Sequence, residues 1–183
     1  SVREDLERAL RRAAEEIEKL SRDLKRVLEE SRKNIERLRR DIERMNEETE
    51  KEIRRLAREI DKEELKRILE EVLKRSTELV KRLTEILKRV LDTNTKLVEE
   101  VDEINKRVLD EVRKLVERAR RVDREEDAEE IKTRIKELID RVRRVNEEVK
   151  ERMKKSNEEV EEVVRRVKEE SKRLLERVEE DVR

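Results

Sequence analysis

The chain has 183 residues, 58% of them charged, with 53 Lys and Arg set against 53 Asp and Glu. A net charge of zero leaves no global field to draw in nucleic acid or an anionic membrane. The absence of Gly, Pro, Cys, His, Trp, Tyr and Phe removes the side chains on which most catalysis and ligand recognition rely, and leaves α-helix as nearly the only structure the chain can build.

Apolar residues make up 32%, low for a globular protein but normal for long helices that turn only a stripe toward a core. High charge alone would fit disorder; regular apolar spacing argues against it. No apolar run approaches the roughly 18 residues a membrane span needs. Ser1-Val2-Arg3-Glu4 is not expected to open a signal peptide, because no apolar stretch follows. Localisation is therefore left unknown, and without cysteine no redox compartment can be inferred.

The first predicted helix covers about residues 2–60. Its apolar positions repeat every 18 residues, or five turns at 3.6 residues per turn, rather than every seven. Leu10, Ala13, Ile17, Leu20 and Leu24 recur as Leu28, Ser31, Ile35, Leu38 and Ile42, and again as Asn46, Thr49, Ile53, Leu56 and Ile60. A repeat matched to 3.6 predicts nearly straight helices with little supercoil. Ser1 with Glu4 opens this helix as a capping box.

Past Ile60 the same phase lands on Glu64, Arg67, Glu71 and Lys74, while apolar residues resume at Leu65, Ile68, Leu69 and Val72. The jump predicts a turn near Asp61, with Asp61 and Glu64 as a second capping box and Ile60 and Leu65 as its hydrophobic staple. The rival is one helix running through Asp61, which the missing C-cap glycine favours.

The second predicted helix covers about 62–122. Val72/Val90/Val108, Leu79/Leu97/Leu115, Leu73/Leu91/Leu109 and Val80/Val98/Val116 form its rows. Eight of its 18 repeat positions are apolar, an arc of roughly 160°, against about 120° for the first helix and about 140° for the third. Either this helix is the most enclosed, or its extra rows, Leu73/Leu91/Leu109 or Ile68/Ile86/Ile104, are exposed to another helix or a second copy.

A second phase jump follows Val122, and the third predicted helix covers about 127–182. Asp123 and Asp127 are its candidate N-caps, each with Glu three residues on. Val142/Val160/Val178 and Ile131/Val149/Val167 form its rows. Short turns make neighbours antiparallel, so the expected fold is all-α: an up-down-up three-helix bundle, a single domain over 1–183.

Ten Ser, Thr and Asn residues fall on core-facing positions: Ser31, Asn46, Thr49, Ser76, Asn94, Asn105, Asn146, Ser156, Asn157 and Ser171. Folding the chain at the two turns gathers them, with neighbours, into levels. Ser21, Asn105 and Asn146 form one. Ser31, Asn34, Thr93, Asn94, Thr95, Ser156 and Asn157 form a middle one. Asn46, Thr49, Ser76, Thr77 and Ser171 form a third. Buried amides and hydroxyls are costly unless hydrogen-bonded, so connected layers penalise any register that separates them. A polar binding site or proton path is the rival reading, but the groups are neutral and repeat along the axis.

Other signals are weaker. Glu-to-Arg/Lys pairs at i,i+4 (Glu18/Arg22, Glu36/Arg40, Glu70/Lys74, Glu78/Arg82, Glu103/Arg107) read as a solvated face. Arg118-Ala119-Arg120-Arg121 is the best basic cluster, but interleaved acids and missing aromatics do not make a nucleic-acid surface. Carboxylate metal sites in bundles want inward Glu with Glu-x-x-His, and there is no His; triads want a base beside a nucleophile, and a Ser–Lys arrangement is formally possible, but no Lys lies on a core row. Met45 and Met153 read as core fillers. The sequence therefore yields no catalytic, cofactor-binding or metal residue.

The whole chain resembles de novo designed helical bundles built from parametric backbones. The shared features are the 18-residue repeat (Val72/Val90/Val108), the balanced surface, the Asp/Ser-x-x-Glu caps and polar layers such as Asn34, Asn94 and Asn157. Designers usually place Gly or Pro at turns; this chain has neither. Natural spectrin-type repeats share the three-helix layout but carry core aromatics absent here. The resemblance implies a structural scaffold with no natural biochemical activity, no enzyme and no cofactor. The alternative it implies is a designed interaction module: a homo-oligomer subunit, or a heterodimer half accepting a partner helix along the wide face of the second helix.

Overall fold

The structure, a computed structural model, describes residues 1–182. It is an all-α three-helix bundle of α1 (Val2–Glu59), α2 (Glu63–Ala119) and α3 (Glu125–Val182). Each boundary lies within three residues of the expected one, and the chain turns at Asp61 rather than running through it. Glu, Lys, Arg, Leu and Ala favour helix. Acidic residues occupy the first turns (Glu4 and Asp5; Glu63 and Glu64; Glu125, Glu126 and Asp127), where the helix dipole is positive.

The turns close without glycine because none of the described residues needs a left-handed conformation. After α2 the amides of Arg121 and Val122 donate to the carbonyls of Arg118 and Ala119, at 3.1 and 3.3 Å. These are tighter i→i−3 bonds that satisfy helix-end acceptors. Arg3 Nε then donates to Val122 O at 2.8 Å while its Nη2 bonds Asp123.

Two expected caps are corrected. Only Ser1 acts as anticipated, its Oγ accepting from Glu4 N at 3.3 Å. Lys62 O and Arg124 O accept the first bonds of α2 and α3, from Lys66 N and Ala128 N. Those residues therefore stand at the N-cap positions. Asp61 lies one residue too early, Asp123 is drawn to Arg3, and Asp127 lies inside α3. Ile60 and Leu65 do join one apolar cluster, as a staple should.

The contacts divide the chain into two compact units. Unit 1 is Ser1–Glu30 with Thr93–Lys154, and unit 2 is Ser31–Asp92 with Lys155–Arg183. Each draws on all three helices, and each has a core in two pieces. In unit 1 one cluster holds Leu6, Leu10, Ile17, Val108, Val112, Leu138 and Val142; the other holds Leu24, Val98, Val101, Val149 and Met153. In unit 2 one cluster holds Ile35, Leu38, Ile42, Val80, Leu83, Leu87, Val160 and Val164; the other holds Ile53, Leu56, Ile60 and Leu69. The interruption falls where the polar levels lie: Asn105 sits between Val101 and Val108 on α2, and Thr49 between Ile42 and Ile53 on α1.

Candidate functional site

All ten core-facing polar residues avoid full exposure. Ser31, Thr49, Asn94, Asn105 and Asn146 are buried; Asn46, Ser76, Ser156, Asn157 and Ser171 are half-buried. The levels differ in whether they close.

The level in unit 1 is closed. Asn105 Nδ2 donates to Ser21 Oγ at 2.9 Å and to Asn146 Oδ1 at 3.1 Å. Asn146 Nδ2 returns a bond to Asn105 Oδ1 at 2.8 Å and gives another to Val142 O at 2.8 Å. Each amide thus donates two hydrogens and accepts at its oxygen, and three helices are tied at one height. Ser21 Oγ passes the chain on to Asp102 Oδ1 at 3.4 Å. The expectation that the levels hold no ionisable member is corrected here. Asp102, 17% exposed, meets Lys106 at 3.2 Å and Lys25 at 3.5 Å. Burial pushes its carboxyl up, but the Lys106 hydrogen bond and the charges of Lys25 and Lys106 outweigh that and hold it below the usual range.

The residues of the expected middle level behave differently in each unit. In unit 2, Ser31 Oγ donates to Asn157 Oδ1 at 2.9 Å, and Asn34 accepts locally from Arg37 Nη2 at 2.6 Å. In unit 1, Asn94 is buried and Thr93 is exposed.

The third level, within unit 2, is open. Thr77 Oγ1 turns back to Leu73 O at 3.0 Å on its own helix. Asn46 Oδ1 is buried with no hydrogen-bond partner among the described residues. Among the described residues no hydrogen bond joins Thr49, Ser76 and Ser171. Instead all three line a cavity of about 220 Å³ with Ile53, Val72, Leu79, Leu174 and Leu175. A second cavity, of about 440 Å³, opens on the other side of Thr49 and Ser171, toward Asp41, Met45 and Lys168. There Lys168 Nζ lies 3.0 Å from Asp41 Oδ2, a bond that holds the Asp41 carboxyl below its ordinary range against partial burial.

The apolar surface is divided in the same way. Of the exposed large apolar side chains, Ile68, Leu79 and Ile86 on α2 and Val163 and Leu174 on α3 all lie in unit 2, at 39–52% exposure; Val2 is the one in unit 1. At 100° per residue, Ile68, Leu79 and Ile86 fall on one edge of α2, and Val163 and Leu174 on one edge of α3. Leu79 and Leu174 line the same cavity, so those edges flank one groove. Of the two extra rows expected on α2, Ile68 and Ile86 are exposed while Ile104, in unit 1, is half-buried; Leu73, Leu91 and Leu109 are half-buried throughout.

The surface charges pair less regularly than the spacing suggested. Glu18/Arg22, Glu36/Arg40, Glu70/Lys74, Glu78/Arg82 and Glu103/Arg107 form no ion pair among the described residues. Many of the pairs that do form are i,i+3, such as Arg39–Glu36 at 3.0 Å, and others cross between helices, such as Arg134–Glu111 and Arg143–Glu16 at 2.5 Å. Among the described residues no group of three or more Asp or Glu is placed to hold a metal ion. Among the described residues no helix is long and apolar enough to cross a membrane.

The class defined is an all-α three-helix bundle with layered polar residues. No protein-family model matches the chain, and neither a curated protein nor a solved structure matches it.

Proposed function

We propose that the chain is an interaction module: a de novo designed three-helix bundle that accepts a helix along the α2–α3 groove of unit 2, with no catalytic chemistry of its own. One observation carries this reading. The five exposed apolar side chains of unit 2 gather on the edges of α2 and α3, beside a polar level whose Ser76 and Ser171 hydroxyls make no hydrogen bond among the described residues. Half-exposed Leu and Ile gain about 1 kcal/mol each when covered. A contiguous apolar strip rimmed by charge is the usual mark of a docking surface.

A scaffold with no partner is the second reading, favoured by the closed Ser21–Asn105–Asn146 network, which needs nothing from outside. Titration with a fluorescent helical peptide, Leu at heptad positions a and d and uncharged flanks, separates the two. Saturable binding that Leu79→Glu abolishes supports the interaction module. No binding, with a solution mass constant at 22.4 kDa, overturns it and leaves the scaffold.

A further inference from the structure

We infer that Asp102 is the terminal acceptor of the buried amide network in unit 1, and that neutralising this carboxylate slackens the Asn105–Asn146 layer through Ser21. Asp102 is thus a positioning residue, and the network is an acid-sensitive element built into the fold. All of its members belong to unit 1.

Asn105 and Asn146 form a reciprocal amide pair. Asn105 Nδ2 donates to Asn146 Oδ1 at 3.1 Å, and Asn146 Nδ2 donates to Asn105 Oδ1 at 2.8 Å. That pairing uses the oxygen and one hydrogen of each amide, so the second hydrogen of each needs an acceptor outside the pair. Asn146 gives its own to Val142 O at 2.8 Å, and Asn105 gives its own to Ser21 Oγ at 2.9 Å. A backbone carbonyl only accepts. Val142 O therefore fixes which way the Asn146 amide faces, and the reciprocal pair then fixes Asn105. Ser21 Oγ, accepting from Asn105, must send its hydroxyl hydrogen elsewhere. The group it meets is Asp102 Oδ1, at 3.4 Å, and an ionised carboxylate only accepts. Donors thus run outward from the amide pair to an acceptor at each end.

The two ends differ in permanence. Val142 O belongs to the α3 backbone, whereas Asp102 is 17% exposed and its charge can change. The bond from Ser21 is long for a hydroxyl and a carboxylate. Charge sustains it more than close fit does, so it is the step that yields first when the charge goes. The charges that meet Asp102 are Lys106 on its own helix, at 3.2 Å, and Lys25 from α1, at 3.5 Å. Lys96, Glu99, Glu100 and Glu103 share the α2 surface around it, and Glu18 and Arg22 lie exposed beside Ser21 on α1. From α3, Arg143 is committed to Glu16 and Asp140. Burial raises the Asp102 carboxyl, but the Lys106 hydrogen bond and the two lysine charges hold it below its ordinary range. The network is therefore intact at neutral pH and loosens only below the ordinary Asp value of about 3.9.

The test reads hydrogen exchange of the Asn105 and Asn146 side-chain amides by NMR in the full chain at pH 7. The backbone amide of Ile42, buried in unit 2, serves as the reference for global stability. Asp102→Asn keeps the shape and removes the charge. It is expected to speed exchange at both side-chain amides about tenfold and to leave the reference unmoved. In Ser21→Ala, which lacks the relay, adding Asp102→Asn should change the amides no further. Lys25→Met breaks the ion pair but keeps the acceptor, and should leave them within about twofold of the parent. On acidification the side-chain amide resonances of the parent should move with the Asp102 carboxyl carbon, while in Ser21→Ala that carbon should titrate alone. Exchange that ignores Asp102→Asn, or that responds equally in the Ser21→Ala background, overturns the inference. So does an equal response to Lys25→Met, which would assign the effect to the ion pair, or a reference that accelerates in step, which would make the loss global.

Discussion

Asn146 is fully buried, and each of its amide hydrogens has a partner. Removing it leaves the Asn105 amide only its bond to Ser21, with its oxygen and one hydrogen unmatched in the core. Asn146→Leu is therefore expected to cost about 1–3 kcal/mol in urea unfolding, since a buried group loses its partner without regaining water. Adding Asn105→Leu should restore most of that loss, because both partners are then apolar. Two single variants whose effects simply add would show that the amides do not act as a pair. In the open level the sign differs: Ser171→Val is expected to stay within about 0.5 kcal/mol of the parent, or to stabilise, because no hydrogen bond among the described residues is lost. The sequence placed Ser171 and Asn146 alike on core-facing lattice positions. It could not separate them, because closure depends on how near the facing backbones come.

At the scale of the element, the helices were legible because a phase jump in an 18-residue lattice has few causes other than a turn. The caps were less so. In a chain where more than half the residues are charged, an acidic residue three places before Glu recurs by composition alone. The N-cap positions fell instead to Lys62 and Arg124, which contribute a carbonyl and no capping side chain. Asp61→Gly should accordingly change stability by less than about 0.5 kcal/mol. Val112→Gly should lose more than the roughly 1 kcal/mol of helix propensity, because Val112 is wholly buried and its loss also opens a void. Comparable losses at the two sites, read by thermal melts, would mean residue 61 is not in a turn.

For the molecule as a whole, pH acts through carboxylates. The carboxyls of Asp41, Glu52, Asp102 and Glu162 are all held below their ordinary values. A depressed folded pKa means the unfolded chain binds protons first as pH falls. Stability from these groups is thus fully present above the unfolded values, about 3.9 for Asp and 4.3 for Glu, and is lost as pH drops through the folded ones. With no histidine in the chain, melting temperature should be nearly flat from about pH 7 to 5 and decline below about 4. Asp41→Asn with Asp102→Asn should shrink that decline; an acid limb as steep as the parent's would place the dependence elsewhere.

The wide apolar arc of α2 was readable in the sequence, and so was its doubtful cover. Which part of it lies open was not, since Ile68, Ile86 and Ile104 occupy one row and differ only in what packs around them. Light scattering over a concentration series, with and without the Leu-striped helical peptide, tests that assignment most directly. The account predicts 22.4 kDa for the chain alone at every concentration, and the mass of one peptide added at saturation. A mass that climbs toward twice 22.4 kDa, or one the peptide leaves unchanged, would contradict it.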